Sequence, residues 1–337
     1  MKNNKENSEE KTNDSGKEKK SVVEVVSNGS GLNLSEKDLN QELHSGAEYT
    51  ALHLIPSPGA VPRIPGVDIF GKTLPYNGIA GGDLITYVNF EERFDLDVRI
   101  QNALQQGRED IVRNLEKLRG RGGILVGDVA GHRFIDAMRA LMLHQAFHTA
   151  SLYELDLNGE ITVRLFEQVN TRFLKSRTLR ATMEDRDSAA FITLIYGEIS
   201  HAGRFHFVSA GHPPPLVFSK EFDRFVEITP DRLISYPPIG LQPSQEHADA
   251  KRYDRALGYK ERYTVNDINL MGRGDILFLY TDGLTDSFSS FNLERFERVV
   301  SRTRDGSAHE ICNAILDEKA LVEAQADDIS LVVIKRN

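Results

Sequence analysis

The apolar residues of this chain are gathered in short runs closed by glycines or acids, and runs of that length suit strands better than long helices. Leu84–Val88, Ile124–Val126, Phe191–Tyr196, Phe205–Val208, Leu216–Phe218, Ile276–Tyr280 and Ile329–Ile334 are rich in β-branched and aromatic residues and read as strands. Ser200-His201-Ala202-Gly203 joins two of these runs at hairpin distance, which predicts antiparallel pairing. Helical spacing occurs between them: Phe134, Ala137, Met138 and Leu141, then Leu165, Val169 and Phe173, then amphipathic patterns over 293–300 and 308–321. The expected fold class is therefore α+β with antiparallel strands, without internal repeats.

The 337 residues suffice for one large domain or two small ones. Residues 1 to about 55 are dominated by Lys, Glu, Asn, Ser and Asp and cannot bury enough surface to offset their ordering entropy, so they are expected to be disordered. Leu39 and Leu43 allow one short helical turn there. Pro56, Pro58, Pro62 and Pro65 mark an extended lead into a folded domain over 56–337. A formal charge of -9 argues against general nucleic-acid binding, which rests on phosphate neutralisation by Lys and Arg. Cys312 is the only cysteine, so no internal disulfide can form and a reducing compartment fits. It lies in an apolar helical pattern with Ile311 and Ile315 and is expected in the core, not as a nucleophile. No apolar run approaches the roughly 20 residues of a membrane span, and the opening residues lack a signal-peptide core. A cytoplasmic protein without membrane contact is expected.

Four acidic positions share a local setting. Asp83 follows Gly81-Gly82, Asp128 follows a strand and Gly127, Asp282 ends a strand before Gly283, and Asp327-Asp328 open the last strand. Carboxylates at strand ends can converge on one rim of a sheet, and such hard oxygen donors suit Mg²⁺ or Mn²⁺. Taken singly each is a turn, because Asp-Gly is far commoner as a turn than as a ligand. His132 and His212 lie in Gly-flanked turns, where a structural hydrogen bond is the commoner role.

In order, Gly81-Gly82-Asp83, Gly127-Asp128-Val129-Ala130-Gly131-His132, Ser209-Ala210-Gly211-His212-Pro213-Pro214, Tyr280-Thr281-Asp282-Gly283 and Asp327-Asp328-Ile329-Ser330 resemble the motifs of PPM-family metal-dependent protein phosphatases, in their SpoIIE/RsbU-type bacterial branch. The resemblance covers about residues 60 to 337. It implies a sandwich of two antiparallel sheets flanked by helices, with two Mn²⁺ or Mg²⁺ ions at one end. It also implies hydrolysis of phosphoserine or phosphothreonine by a metal-activated water, on an anti-sigma-factor antagonist of STAS type in partner-switching signalling. Asp128 is then expected to bridge both ions, Val129 to lend its carbonyl, Asp282 and Asp327 to hold the second ion, and Asp83 to stand at or beside the first. Asp328 matches a position where relatives carry an acid or amide, which leaves its direct coordination of an ion open.

Two departures stand out: Thr86 replaces a second Asp that relatives carry three residues after the first, and Arg133 replaces a glycine after Gly-His. A guanidinium at Arg133 could contact a substrate phosphate. One rival reading is a catalytically weak pseudophosphatase acting as a binding module, although Asp128 and Asp282 are both retained. A nucleotide-binding reading lacks both Gly-x-Gly-x-x-Gly and Gly-Lys-Ser/Thr. The oligomeric state is left open, a homodimer included. Finally, Ile100, Leu104, Ile111, Leu115 and Leu118 recur at helical spacing around Gly107. Two amphipathic helices are expected as an insertion at about 91–121, beside the rim of Asp83 and Asp128, either as a solvated decoration that packs its apolar stripe on the domain or as one wall of a protein-substrate site or a dock for a regulator.

Overall fold

The computed structural model describes residues 57–337 apart from 77–79, 132–133, 176–190, 230–232, 253–256, 270–271 and 286–289, together with isolated positions between 41 and 49. The chain divides into a unit of residues 1–45 and a unit of residues 46–337, and the second is described below. The expected N-terminal disorder and the turn at Leu39 and Leu43 fall outside the described residues, as do His132 and Arg133.

Among the described residues, eleven strands form two sheets. The first joins β1 (Val67–Leu74), β11 (Ile329–Arg336), β10 (Ile276–Tyr280), β6 (Leu216–Ser219) and β7 (Arg224–Val226) in that order, every pair antiparallel. The second joins β2 (Leu84–Asn89), β3 (Arg121–Val129), β4 (Ile192–Ser200), β5 (Phe205–Ala210) and β8 (Ser235–Tyr236), with β9 (Asn266–Ile268) also pairing β5. Only the two-residue β5–β8 pairing is parallel. The predicted hairpin is β4–β5, with Ser200 N donating to Arg204 O at 3.1 Å and Gly203 in the left-handed region at φ 78°.

The period-2 alternation of strands sorts the core into layers. Ile85, Tyr87, Ile124, Val126 and Ile195 of one sheet meet Leu277, Leu279, Val332 and Ile334 of the other. Their neighbours Leu84, Val88, Leu125 and Leu194 face helices α1 (Phe90–Arg93), α2 (Leu96–Gln105), α3 (Glu109–Leu118), α4 (Phe134–Asn158) and α5 (Val163–Leu174). On the far side, Phe278, Leu331 and Val333 face α6 (Leu293–Thr303) and α7 (Ala308–Val322), where Cys312 is buried and its thiol pushed up to about 12 by desolvation. Ser307 and Glu310 close a capping box at the start of α7. The result is a helix–sheet–sheet–helix sandwich of the α+β class. No helix among the described residues is long and apolar enough to cross a membrane.

The two expected helices are α2 and α3, broken at Gly107 with φ 67°. Their buried stripe is Leu96, Ile100, Ala103, Ile111, Leu115 and Leu118, whereas Leu104, assigned to the stripe from its spacing, is 50% exposed. They pack this stripe on the domain, as one of the two expected roles has it, but their location corrects the expectation that they lie beside the aspartate rim. Asp83 enters β2 and Asp128 leaves β3, but the helices join the opposite ends, where Asn89 pairs Gly122. Along β3, Arg121 and Asp128 are about 23 Å apart at roughly 3.3 Å per residue. The helical pair instead meets the C-terminal end of α4, with Arg99 Nε 3.1 Å from Asp156 Oδ1 and Asn114 Nδ2 donating to Asn158 O at 3.0 Å. It cannot wall a substrate site at the aspartates. The sequence proximity of the first two motifs misleads because an intervening strand carries the chain across the domain.

The pair therefore matters to the core. Leu115→Ala, which empties a fully buried position, is expected to lower unfolding free energy by about 2–5 kcal/mol. Urea denaturation checks this, and kcat on an aryl phosphate should stay within about twofold of wild type.

Candidate active site

Each sheet contributes carboxylates to one rim of the sandwich. Asp83 precedes β2, Asp128 is the penultimate residue of β3, Asp282 follows β10 by one residue after Thr281, and Asp327-Asp328 precede β11. Asp282 and Asp327 are exposed, Asp128 is half-buried, and Asp83 and Asp328 are buried.

Hydrogen bonds across the rim tie the two sheets together. Thr281 Oγ1 donates to Asp83 Oδ2 at 2.7 Å while accepting from Ser330 N at 2.8 Å. Asp328 Oδ2 accepts from Gly82 N at 2.6 Å and Asp328 Oδ1 from Tyr76 N at 2.7 Å. Asp328 therefore spends both oxygens on backbone amides, and its role is to orient the Gly81-Gly82 turn. Gly82 O in turn accepts from Val129 N at 3.2 Å. A Cβ on Gly82 would collide with the carbonyl oxygens of Val129 and Gly131, and one on Gly81 with the Asp328 carboxylate. These glycines are demanded by close approach of the two strands.

Thr281 and Ser330 lay within the recognised motifs, but spacing alone gave them no task. A further pair was missed. Asp136, in the first turn of α4, is fully buried against Arg139, and a Cβ on Gly131 would strike it. An acid in the first turn of a helix was its one sequence signal. Thr86 is buried in β2, its hydroxyl without a hydrogen-bond partner. His212 is buried with Nδ1 3.0 Å from Thr193 Oγ1, and desolvation lowers its pKa to about 3. A neutral imidazole linking β4 to the turn after β5 accords with the structural role expected from its setting.

Burial comes first, and the charges of Asp282, Asp327 and Asp328 second, in pushing Asp128 up to about 7. Burial and the Asp128 charge likewise raise Asp83 well above the usual carboxylate range. Carboxylates crowded in this way are costly without a counter-charge, and the donors are all hard oxygens. Among the described residues no three His, Cys, Asp or Glu side chains form a closed metal cage. Hard oxygen donors crowded in this way are of the kind that suits divalent cations.

Gly82→Ala is expected to displace the Val129–Gly131 backbone by a fraction of an ångström to an ångström and to reduce turnover by about 10²-fold. Steady-state kinetics on an aryl phosphate, with circular dichroism for folding, checks this. Arg139→Ala should instead act on stability, costing about 3–5 kcal/mol by stranding a buried Asp136 charge, as read by denaturant titration.

The sequence profile of the Stage II sporulation protein E (SpoIIE) family matches residues 119–337. No curated protein matches. Among solved structures, the chain resembles the RsbU and RsbW domains of Rv1364c from Mycobacterium tuberculosis at 22% identity and TM-score 0.54, over 82% of this chain and 62% of that one. It resembles the PP2C phosphatase domain with a regulatory-domain fragment of SpoIIE from Bacillus subtilis at 15% identity and TM-score 0.52, over 80% and 61%. The SiaA-PP2C domain of Pseudomonas aeruginosa matches at 14% identity and TM-score 0.53, over 90% and 100%. The chain spans about three fifths of the length of the first two. At these identities the structures speak for the fold, and the profile, covering well over half the chain, speaks for descent: the chain belongs to the SpoIIE family, the SpoIIE/RsbU branch of PP2C/PPM-type protein phosphatases.

Proposed function

We propose that this chain is a divalent-metal-dependent phosphatase that removes phosphate from phosphoserine or phosphothreonine on a small anti-sigma-factor antagonist of STAS type, in the cytoplasm. The observation that carries the reading is the gathering of Asp83, Asp128, Asp282 and Asp327 from both sheets on one rim, with Asp128 pushed up to about 7 by burial and its acidic neighbours. Such a rim repels a phosphate monoester unless cations intervene, so substrate and metal must be bound together.

Asp128, the Val129 carbonyl, Asp282 and Asp327 would hold Mn²⁺ or Mg²⁺, with Asp83 beside them. When bound, two such ions neutralise phosphoryl oxygens and lower the pKa of water so that it attacks at neutral pH. The chain's own work is positioning. Thr281 fixes one oxygen of Asp83, which leaves the other directed by the same bond. Asp328 sets the Gly81-Gly82 turn against Val129 and so orients the Val129 carbonyl. The exposure of Asp282 and Asp327 leaves the rim open to a phosphorylated loop of a partner protein. Arg133, next after His132, would meet the phosphate with its planar fork.

Asp128→Asn and Asp282→Asn should each abolish Mn²⁺-dependent hydrolysis of a phosphoserine peptide, by about 10³-fold or more, with unchanged circular dichroism. Wild-type turnover in either variant would remove the assignment. Release of phosphate from a phosphorylated STAS-type domain, absent from a phosphotyrosine control, tests the substrate class.

A further inference from the structure

The middle of α4 carries a pair of histidines that the phosphatase rim does not use. His144 and His148 are one helical turn apart, on the same face, and both half-buried. Their Nε2 atoms approach to 3.1 Å, with the rings nearly perpendicular at 84°. Two imidazole nitrogens that share one ion at ~2.05 Å are separated by about 3.1 Å when they subtend roughly 98° at the metal, a cis angle between square-planar and tetrahedral values. The observed approach therefore matches a two-tooth chelate. We propose that His144 and His148 form a binding site for a borderline transition-metal cation, Zn²⁺ foremost, separate from the oxygen-donor site at the rim.

Three further features support it. Both rings are held toward the neutral form that a metal ligand requires, by desolvation first and by the charge of Arg93. His148 descends to about 4, so near neutral pH no proton need be displaced from an imidazolium. Nδ1 of His148 is buried without a hydrogen-bond partner, so its ring is held by packing against Phe147, 5.6 Å between centroids. That leaves Nε2 as the nitrogen it presents. In the metal-free state one Nε2–H donates to the other nitrogen; on binding, that ring takes its Nδ1–H tautomer, so both Nε2 lone pairs face the cation and both imidazoles stay neutral. The charge of Arg93 opposes the incoming ion and limits affinity. Among the described residues no third His, Cys, Asp or Glu completes a cage, so water or an incoming side chain would fill the open positions. Imidazole pairs suit Zn²⁺, Ni²⁺ and Cu²⁺, whereas carboxylate and carbonyl oxygens suit Mg²⁺ and Mn²⁺. Occupancy would clip two turns of the helix that begins a few residues after Asp128 and lies over the same sheet.

The test is Zn²⁺ titration calorimetry of the full chain in saturating Mg²⁺, which fills the oxygen-donor rim. Wild type and Asp128→Asn should each take up one Zn²⁺ that His144→Gln and His148→Gln weaken by tenfold or more, since loss of even an outer-sphere partner costs about 10–100-fold. Metal-free circular dichroism monitors folding of both variants, and the more accessible replacement, His144→Gln, suffices if the other is unstable. Electron paramagnetic resonance of the Cu²⁺-loaded wild type should show coupling to two imidazole nitrogens. Absence of stoichiometric Zn²⁺ uptake by wild type, or equal uptake by the folded histidine variants, would overturn the proposal and leave the pair as a hydrogen bond between neutral rings.

Discussion

Asp328 lies under the Gly81-Gly82 turn with one oxygen on the Gly82 amide and the other on the Tyr76 amide. Because Asp328 precedes β11 and Gly82 precedes β2, this carboxylate joins the two sheets at their shared rim. Thr281 repeats the connection a few residues away by donating to Asp83. Removing a buried carboxylate whose two oxygens accept from amides leaves those amides unpaired, at roughly 1–3 kcal/mol each. The spacing of the exposed aspartates depends on this joint. Were the sheets to slide, Asp83 and Asp128 on one and Asp282 and Asp327 on the other would no longer face a common space.

That joint also explains a division of labour among neighbouring acids of the same type. Asp327 and Asp328 are adjacent, yet one is exposed and the other buried, as alternation along an extended chain requires. The exposed member is available to a cation, and the buried one organises backbone. Asp83 combines burial with a hydrogen bond from Thr281, so its orientation is fixed before any ion arrives. Preorganised oxygen donors of this kind need little rearrangement when charge develops on a phosphoryl group.

Much of the sandwich was legible because strands buried on both faces leave apolar runs: Ile276–Tyr280 and Ile329–Ile334 are such runs, and both are central in their sheet. β1 was not legible, since Asp68, Gly71 and Lys72 break its pattern at an edge position. β8 and β9, of two and three residues, are too short to carry any period. The aspartates were legible from their glycines, and the structure gives the reason: Gly81, Gly82 and Gly283 each lie where a side chain would strike backbone or Asp328. Partners distant in sequence were not legible. Thr281 and Asp83 are 198 positions apart, and nothing in either motif states which acid the hydroxyl serves. The placement of α2 and α3 failed for a related reason, because adjacency of motifs in sequence says nothing about which end of a strand a connection leaves from.

The central claim is that these aspartates are a divalent-cation site and not merely an acidic edge. Counting bound Mn²⁺ by electron paramagnetic resonance at equilibrium tests it without reference to any substrate. Wild type should bind two Mn²⁺ per chain, and Asp128→Asn, with its fold intact, should bind fewer at the same free concentration. Equal Mn²⁺ uptake by the two proteins, or none by wild type, would contradict the account.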